Sequence, residues 1–156
     1  MNRWCVCVAL ACVWCALPSL ALAQAKPDAR DIAAIRECIE GERGESCIFI
    51  VATPCSERPE SQSGHGEAEC YDREQAVWDL LLNESFRKLA KNLEPQQRDK
   101  LREMQRAWIA SRDKTCEFFW DFYQGTMAVP MQSACLNRET ARRALFLLRF
   151  ANELSP

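Results

Sequence analysis

Residues 101–116, LREMQRAWIASRDKTC, decide the fold of this chain. The apolar positions of this stretch recur with the 3.6-residue period of an α-helix: Leu101, Met104 and Trp108. Pro95 suits a first helical turn, where its missing N–H costs no hydrogen bond, so we expect the helix to begin near it. Gln105 and Arg112 lie on or beside the apolar stripe, and burying them is costly without partners. The pattern therefore predicts a packed helix whose two polar side chains are paired with another helix.

A second long apolar face precedes this helix, in residues 69–93. Its apolar positions also follow helical spacing: Trp78, Leu82, Phe86, Leu89 and Leu93, widened by Val77 and Leu81. The link between the two patterns is short, which favours an antiparallel hairpin. In that geometry we expect an ion pair between Asp79 and Arg112. We also expect Asn83 to form a hydrogen bond near Gln105.

Two shorter helices are predicted on either side of this pair. Residues 28–40 begin with an Asp and carry isoleucines at i, i+3 and i+7. Residues 137–152 place alanines and leucines on one face and arginines on another. Gly125 and Pro130 should keep the chain open between Cys116 and this last helix. The sequence thus predicts an all-α, disulfide-stapled bundle of about four helices.

The segment between the first two helices is expected to be irregular and rich in Cys. Residues 47–55, CIFIVATPC, predict a short strand or a buried extended run that ends at Pro54. Residues 56–67, SERPESQSGHGE, have no hydrophobic period and contain Pro and Gly breakers, which predicts a solvent loop. His65, the single histidine, lies in this loop. A zinc site needs three or four ligands, so we assign His65 no metal or catalytic chemistry.

The N-terminus and the cysteines indicate export. Arg3, the apolar run after it and the Ala-Leu-Ala ending at Ala23 are typical of a signal peptide. We expect residues 1–23 to be removed, leaving a single helical domain over residues 24–156. An uncleaved membrane anchor and a lipoprotein signal at Cys12 are the alternatives. Six cysteines remain, an even number that predicts three disulfides in a small exported domain. Proximity favours the pairs Cys38–Cys47, Cys55–Cys70 and Cys116–Cys135.

Charge is unevenly distributed along the chain. Residues 24–86 carry six Arg or Lys and fourteen Asp or Glu, whereas residues 87–115 carry nine and four. Such segregation can present an acidic face to a cationic partner and a basic face to an anionic polymer. We favour the other interpretation, in which the acidic part packs beside the basic helix and the two fields largely cancel. The near-neutral total argues against nucleic acid as a partner.

A run of aromatic residues follows Cys116. These side chains could form a ligand platform, but a small domain needs its apolar area for the core. We therefore expect the run to cap the end of the bundle. Its members are Phe118, Phe119, Trp120, Phe122 and Tyr123.

The motifs, taken in order, resemble the LprI-like lysozyme-inhibitor domain family over about residues 36–150. The first is E-x-x-x-W-D-x-x-L-N, beginning at Glu74, and the second is L-x-x-x-Q-R-x-W-I-x-x-R-D-x-x-C, beginning at Leu101. The resemblance implies a small disulfide-bonded helical domain of the bacterial envelope. Most signature positions are what a fold requires, not a binding site: Trp78, Asp79, Asn83, Gln105, Arg106, Trp108, Arg112 and Asp113.

The resemblance implies an exported, non-enzymatic binding protein of the periplasm or outside the cell, inhibiting lysozyme and needing no cofactor. Residues of the polar loop would contact the enzyme: Glu57, Glu60, His65 and Glu67. The alternative is a structural or envelope-stress module without effect on lysozyme. It would bind peptidoglycan or another envelope protein through the aromatic run or the arginines of the last helix. The sequence contains no nucleophile elbow or phosphate-binding loop, which argues against an enzyme. We expect no stable membrane insertion after signal removal, and the oligomeric state is open.

Overall fold

The structure, a computed structural model, describes residues 26–41 and 43–154. Its five α-helices are α1 (Ala29–Glu40), α2 (Ala52–Ser56), α3 (Gly64–Asn92), α4 (Pro95–Tyr123) and α5 (Gly125–Glu153). Two 3-10 turns, Gly44–Cys47 and Pro59–Ser61, lie between α1 and α3, and the described residues contain no strand. The all-α class and the three expected disulfides are confirmed. The predicted signal peptide, residues 1–23, lies outside the described residues.

Three helices of equal length form the body of the bundle. α3, α4 and α5 each contain 29 residues, so each is roughly 43 Å long. α5 runs parallel to α3: Asn137 donates to Glu74 near one end of the pair, and Lys88 donates to Asn152 near the other. α4 runs antiparallel to α5, to which the Cys116–Cys135 disulfide joins it. The core lies mainly between α3 and α5, which make the most extensive helix contact.

α3 and α4 run antiparallel across the short link that we expected, but the prediction that they pack against each other as a hairpin is wrong. α5 packs against both helices, so it supplies the partners that we had assigned across the hairpin. Arg112 donates to Asp113 and to Thr140 of α5, and it does not meet Asp79. Its guanidinium is thus paired, but with a different helix from the one expected.

The second expected contact of the hairpin is also absent. Asn83 donates to the carbonyl and the carboxylate of Asp79, on its own helix. Gln105 accepts a hydrogen bond from Arg143 Nε of α5 at 3.0 Å. Both α4 side chains on the apolar stripe therefore find partners on another helix, as their burial requires.

The last helix begins twelve residues earlier than the sequence pattern suggested, at Gly125 instead of Asn137. Pro130 lies inside its second turn and, having no N–H, leaves the carbonyl of Thr126 without a helical donor. Gly64, at the start of α3, approaches this carbonyl so closely that an added Cβ would lie 2.6 Å from the oxygen. Gly64, one of the glycines that we expected to lie in a solvent loop, is therefore a contact point between α3 and α5.

A fully buried carboxylate holds the irregular segment against the bundle. Glu74 of α3 accepts five hydrogen bonds, from the backbone N–H groups of Phe49, Val51 and Ala52, from Trp78 Nε1 and from Asn137 Nδ2. All five partners are donors, which suits a carboxylate because it has no hydrogen of its own. The segment is neither a strand nor an extended run: it turns into α2, and Pro54 occupies the first turn of that helix.

A bidentate ion pair fixes α1 to α3. Arg73 donates to both oxygens of Asp31 at 2.6 and 2.7 Å, and Asp31 is buried. The hydrogen bonds to Asp31 raise the pKa of the Arg73 guanidinium. This geometry needs the planar fork of arginine, which a lysine ammonium lacks.

We expect Arg73→Lys to lower the free energy of unfolding by about 1 kcal/mol, because one of the two hydrogen bonds is lost and the buried Asp31 is left partly unsatisfied. Urea denaturation of the oxidised protein measures this change. Arg36→Lys is the matched control, since its pair with Glu84 is well exposed and should be worth less than about 0.5 kcal/mol. Equal losses of unfolding free energy in the two variants would contradict the claim that the Arg73–Asp31 pair stabilises the fold more than the Arg36–Glu84 pair.

Candidate partner-binding surface

The signature residues lie mostly at helix contacts. Trp78 is fully buried and donates to Glu74. Trp108 is covered by two guanidinium groups, with Arg112 5.0 Å and Arg143 5.5 Å from its ring centroid. The Arg143 contact attaches α4 to α5, whereas Arg112 lies one turn further along α4 from Trp108. Arg106 and Asp113 are exposed. Several signature residues thus lie at helix contacts, and the interpretation of the whole signature as a fold requirement stays a prediction.

α4 is the least buried of the long helices. Of its 29 residues, Leu101 and Cys116 are buried. The aromatic run near its end, which we expected to cap the bundle, is instead largely exposed: the exposed fraction is 60% at Phe118, 47% at Trp120 and 65% at Phe122. That expectation was wrong because α5 supplies the core residues of this end. We call this group the aromatic tip and define it as the half-buried Phe119 and the exposed Phe118, Trp120, Phe122, Tyr123 and Met127.

Local geometry holds the aromatic tip together on the outer side of α4. Phe118 stacks on Phe122 at a centroid distance of 5.8 Å, and Phe119 stacks on Tyr123 at 6.2 Å, one helical turn apart in each case. Gln124 and Gly125 then reverse the chain through positive φ angles of 52° and 61°. The Cys116–Cys135 disulfide anchors the helix immediately before the tip.

Residues 56–67, which we call the acidic segment, end at the same end of the bundle as the aromatic tip. The close approach of Gly64 to Thr126 places the end of this segment against the first turn of α5, next to Met127 of the tip. The Cys55–Cys70 disulfide fixes the segment to α3. Ser63 caps α3 by accepting a hydrogen bond from the N–H of Gly66. The structure therefore brings together two stretches that are about fifty residues apart in the sequence.

The four predicted contact residues are divided between two local structures. Glu57 and Glu60 are exposed in the short turns before α3, and Glu60 lies 3.9 Å from Arg58. His65 and Glu67 belong to the first turn of α3, so the predicted solvent loop ends earlier than expected. His65 is exposed, while Glu67 is partly buried and accepts a hydrogen bond from the Tyr71 hydroxyl.

Negative charge is concentrated at the end of the bundle that carries the aromatic tip. Residues 56–72 contain five Asp or Glu and one Arg or Lys, Arg58. Glu117 and Asp121 are exposed among the aromatic side chains of α4. The end of the bundle that carries the tip is therefore acidic.

Two ionisable groups beside the acidic segment have shifted pKa values. Partial desolvation raises the pKa of the Asp72 carboxyl, a hydrogen bond with Ser133 opposes that shift, and the nearby Glu69 adds to it. Desolvation also raises the pKa of the Tyr71 hydroxyl, and the negative charge of Glu67 adds to this shift. Burial is the main cause of both pKa shifts, and a neighbouring carboxylate adds to each.

The positive charge lies toward the opposite end of the bundle. The last turns of α3 carry Arg87, Lys88 and Lys91, and the first turns of α4 carry Arg98, Lys100 and Arg102. α1 packs against α3, not against α4. Our expectation that the acidic part would lie beside the basic helix was therefore wrong.

The ion pairs confirm this separation of charge. Acidic residues of α1 and of the turn after it pair with α3 and α5, as in Asp31 with Arg73 and Glu45 with Arg142. On α4, Arg102 pairs with Asp99 of its own helix. Direct pairing thus leaves the acidic end and the basic end distinct.

Two further findings concern the described residues. All six of their cysteines are in disulfides, and no three His, Cys, Asp or Glu side chains come together in a group that could hold a metal ion. No helix in this part of the chain is long and apolar enough to cross a membrane.

These features define a class of protein: a disulfide-stapled helical domain, built for an oxidising compartment, with an exposed aromatic and acidic end. The chain belongs to the family described as lysozyme inhibitor LprI, whose pattern it matches over residues 55–147. The match spans α3, α4 and most of α5, and it leaves α1 outside. Searches of curated proteins and of solved structures returned no match.

Proposed function

We propose that this chain is an exported, non-enzymatic protein that binds and inhibits a cationic lysozyme in the periplasm or outside the cell. Membership of an inhibitor family supports this proposal, and the disulfides fit an oxidising compartment. The observation that carries it is the acidic end of the bundle, where Glu57, Glu60, Glu117 and Asp121 are each exposed. An acidic surface accelerates association with a cationic enzyme by electrostatic steering.

The test is a muramidase assay on cell-wall substrate, with cationic lysozymes of several classes, in the presence and absence of the oxidised protein. Stoichiometric inhibition that weakens with added salt supports the proposal. Absence of inhibition by a folded sample overturns it and favours the alternative, an envelope module with another partner. The arginines of α5 give that alternative little support, because Arg138 and Arg142 are already paired with acidic residues.

We expect the double substitution Glu57→Gln and Glu60→Gln to slow association with lysozyme about tenfold at low salt, because two steering charges are removed. The dissociation rate should change much less. Stopped-flow or surface-based kinetics at two salt concentrations measures both rates.

The matched control for this prediction is Glu103→Gln with Glu153→Gln. It removes the same charge from exposed positions toward the other end of the bundle. If the control slows association as strongly as the substitution of Glu57 and Glu60, net charge alone matters and the acidic segment has no special role.

A further inference from the structure

We propose that the aromatic tip is the part of the chain that docks, by entering the glycan-binding cleft of the lysozyme. This inference rests on the proposed function. It names the surface of the chain that inhibits the enzyme and the site on the enzyme that this surface enters. The starting observation is the exposure of Phe118, Trp120, Phe122 and Met127, side chains that a small domain normally buries.

The tip has the composition of an interface centre. Aromatic residues and Met are enriched at binding hot spots, where a few of them supply most of the binding energy. The ring contacts of Phe118 with Phe122 and of Phe119 with Tyr123 arrange the tip before binding. Little conformational freedom is then lost on association.

Charge decides among the possible occupants of this surface. Two copies of the chain that met tip to tip would bring their acidic segments together, and an anionic membrane would be repelled by Glu117 and Asp121. A cationic protein is attracted by the same charges. Glu117 and Asp121 therefore add negative charge, complementary to a cationic protein, to an apolar centre.

The shape of the surface favours a cleft. The tip closes a hairpin in which α4 reverses into α5 at Gln124 and Gly125, so it projects at one end of a long, narrow bundle. A cleft that binds sugar rings is concave and presents apolar surfaces to them. Such a cleft can accept aromatic side chains in place of sugars.

The experiment compares inhibition constants for the wild-type protein and for Phe118→Gln with Phe122→Gln. Both positions are well exposed, and glutamine is a good helix former, so the fold should be retained. We expect the inhibition constant to rise on the order of 100-fold, mainly through faster dissociation. Phe146→Gln, at an exposed position of α5 away from the tip, should leave it nearly unchanged. Chitotriose, which fills the cleft, should compete with the wild-type protein for lysozyme.

Three results would overturn the inference. In the first, wild type inhibits and the tip variant inhibits equally well, which leaves the proposed function standing without this surface. In the second, chitotriose and the protein bind lysozyme at the same time. In the third, the wild type inhibits nothing, which removes both proposals. Sedimentation tests whether a second copy of the chain occupies the tip, and binding to anionic vesicles tests whether a membrane does. If the tip variant loses self-association or vesicle binding while its inhibition of lysozyme is unchanged, that result also counts against docking in the cleft.

Discussion

Replacement of Glu74 by glutamine is expected to lower the free energy of unfolding by about 3 to 5 kcal/mol. The carboxylate accepts five hydrogen bonds, three at one oxygen and two at the other. An amide in either orientation turns an NH2 group toward at least two of these donors. The donors are then left buried without an acceptor, and the new N–H groups are unsatisfied as well. Urea denaturation of the oxidised protein measures the loss.

Two companion variants show whether the loss arises from the hydrogen bonds. Glu69→Gln makes the same chemical change at an exposed position of α3 and should alter stability by less than about 0.5 kcal/mol. Trp78→Phe removes one donor and should cost less than Glu74→Gln. A Glu74→Gln protein as stable as the Glu69→Gln control would contradict the role we give this carboxylate.

Removal of the disulfide between α4 and α5, by Cys116→Ala with Cys135→Ala, should lower the free energy of unfolding by about 3 kcal/mol. The bond closes a chain segment of 19 residues and supplies one of the two buried residues of α4. We also expect the last turns of α4, including the aromatic tip, to open locally. Amide hydrogen exchange of residues 117–123 reports this opening.

The control removes a different disulfide, by Cys38→Ala with Cys47→Ala. That bond closes a shorter segment of 9 residues near α1, so its removal should cost slightly less and should leave exchange at the tip unchanged. Faster exchange at residues 117–123 in both variants would show that general destabilisation, not the loss of a local anchor, opens the tip.

Much of the fold could be predicted from periodicity and from Cys spacing. The helical pattern around Leu101 and Trp108 predicted α4, and Pro95 is its first residue. The disulfides follow proximity along the chain, because each one joins elements that are neighbours in the sequence. These are local properties, and a single sequence contains them.

The arrangement of the helices could not be predicted in the same way. A short link between α3 and α4 suggested a hairpin, but α5 competes for the same apolar faces and buries more of its own surface against α3. The start of α5 was missed because Pro130 is usually a helix breaker; here it lies in the second turn, where the carbonyl of Thr126 faces Gly64. Both outcomes depend on tertiary contacts.

Only the acidic part of the candidate surface, and not the aromatic part, was predicted from the sequence. Acidic side chains within residues 56–67 were predicted to contact the partner, and that role stays a prediction. The aromatic run was expected to cap the end of the bundle, because a small domain usually needs its apolar area for the core. The signal that could have changed this interpretation is the presence of Asp121 inside the run, since its charge needs solvent or a partner.

The most direct test of this account is hydrogen exchange of the protein with and without a cationic lysozyme that it inhibits. We predict slower exchange in residues 56–67 and 117–128 on binding, and unchanged exchange at the opposite end, in residues 87–106. Protection confined to residues 87–106, or no protection in either region while lysozyme is bound, would contradict the claim that the aromatic and acidic end is the binding surface.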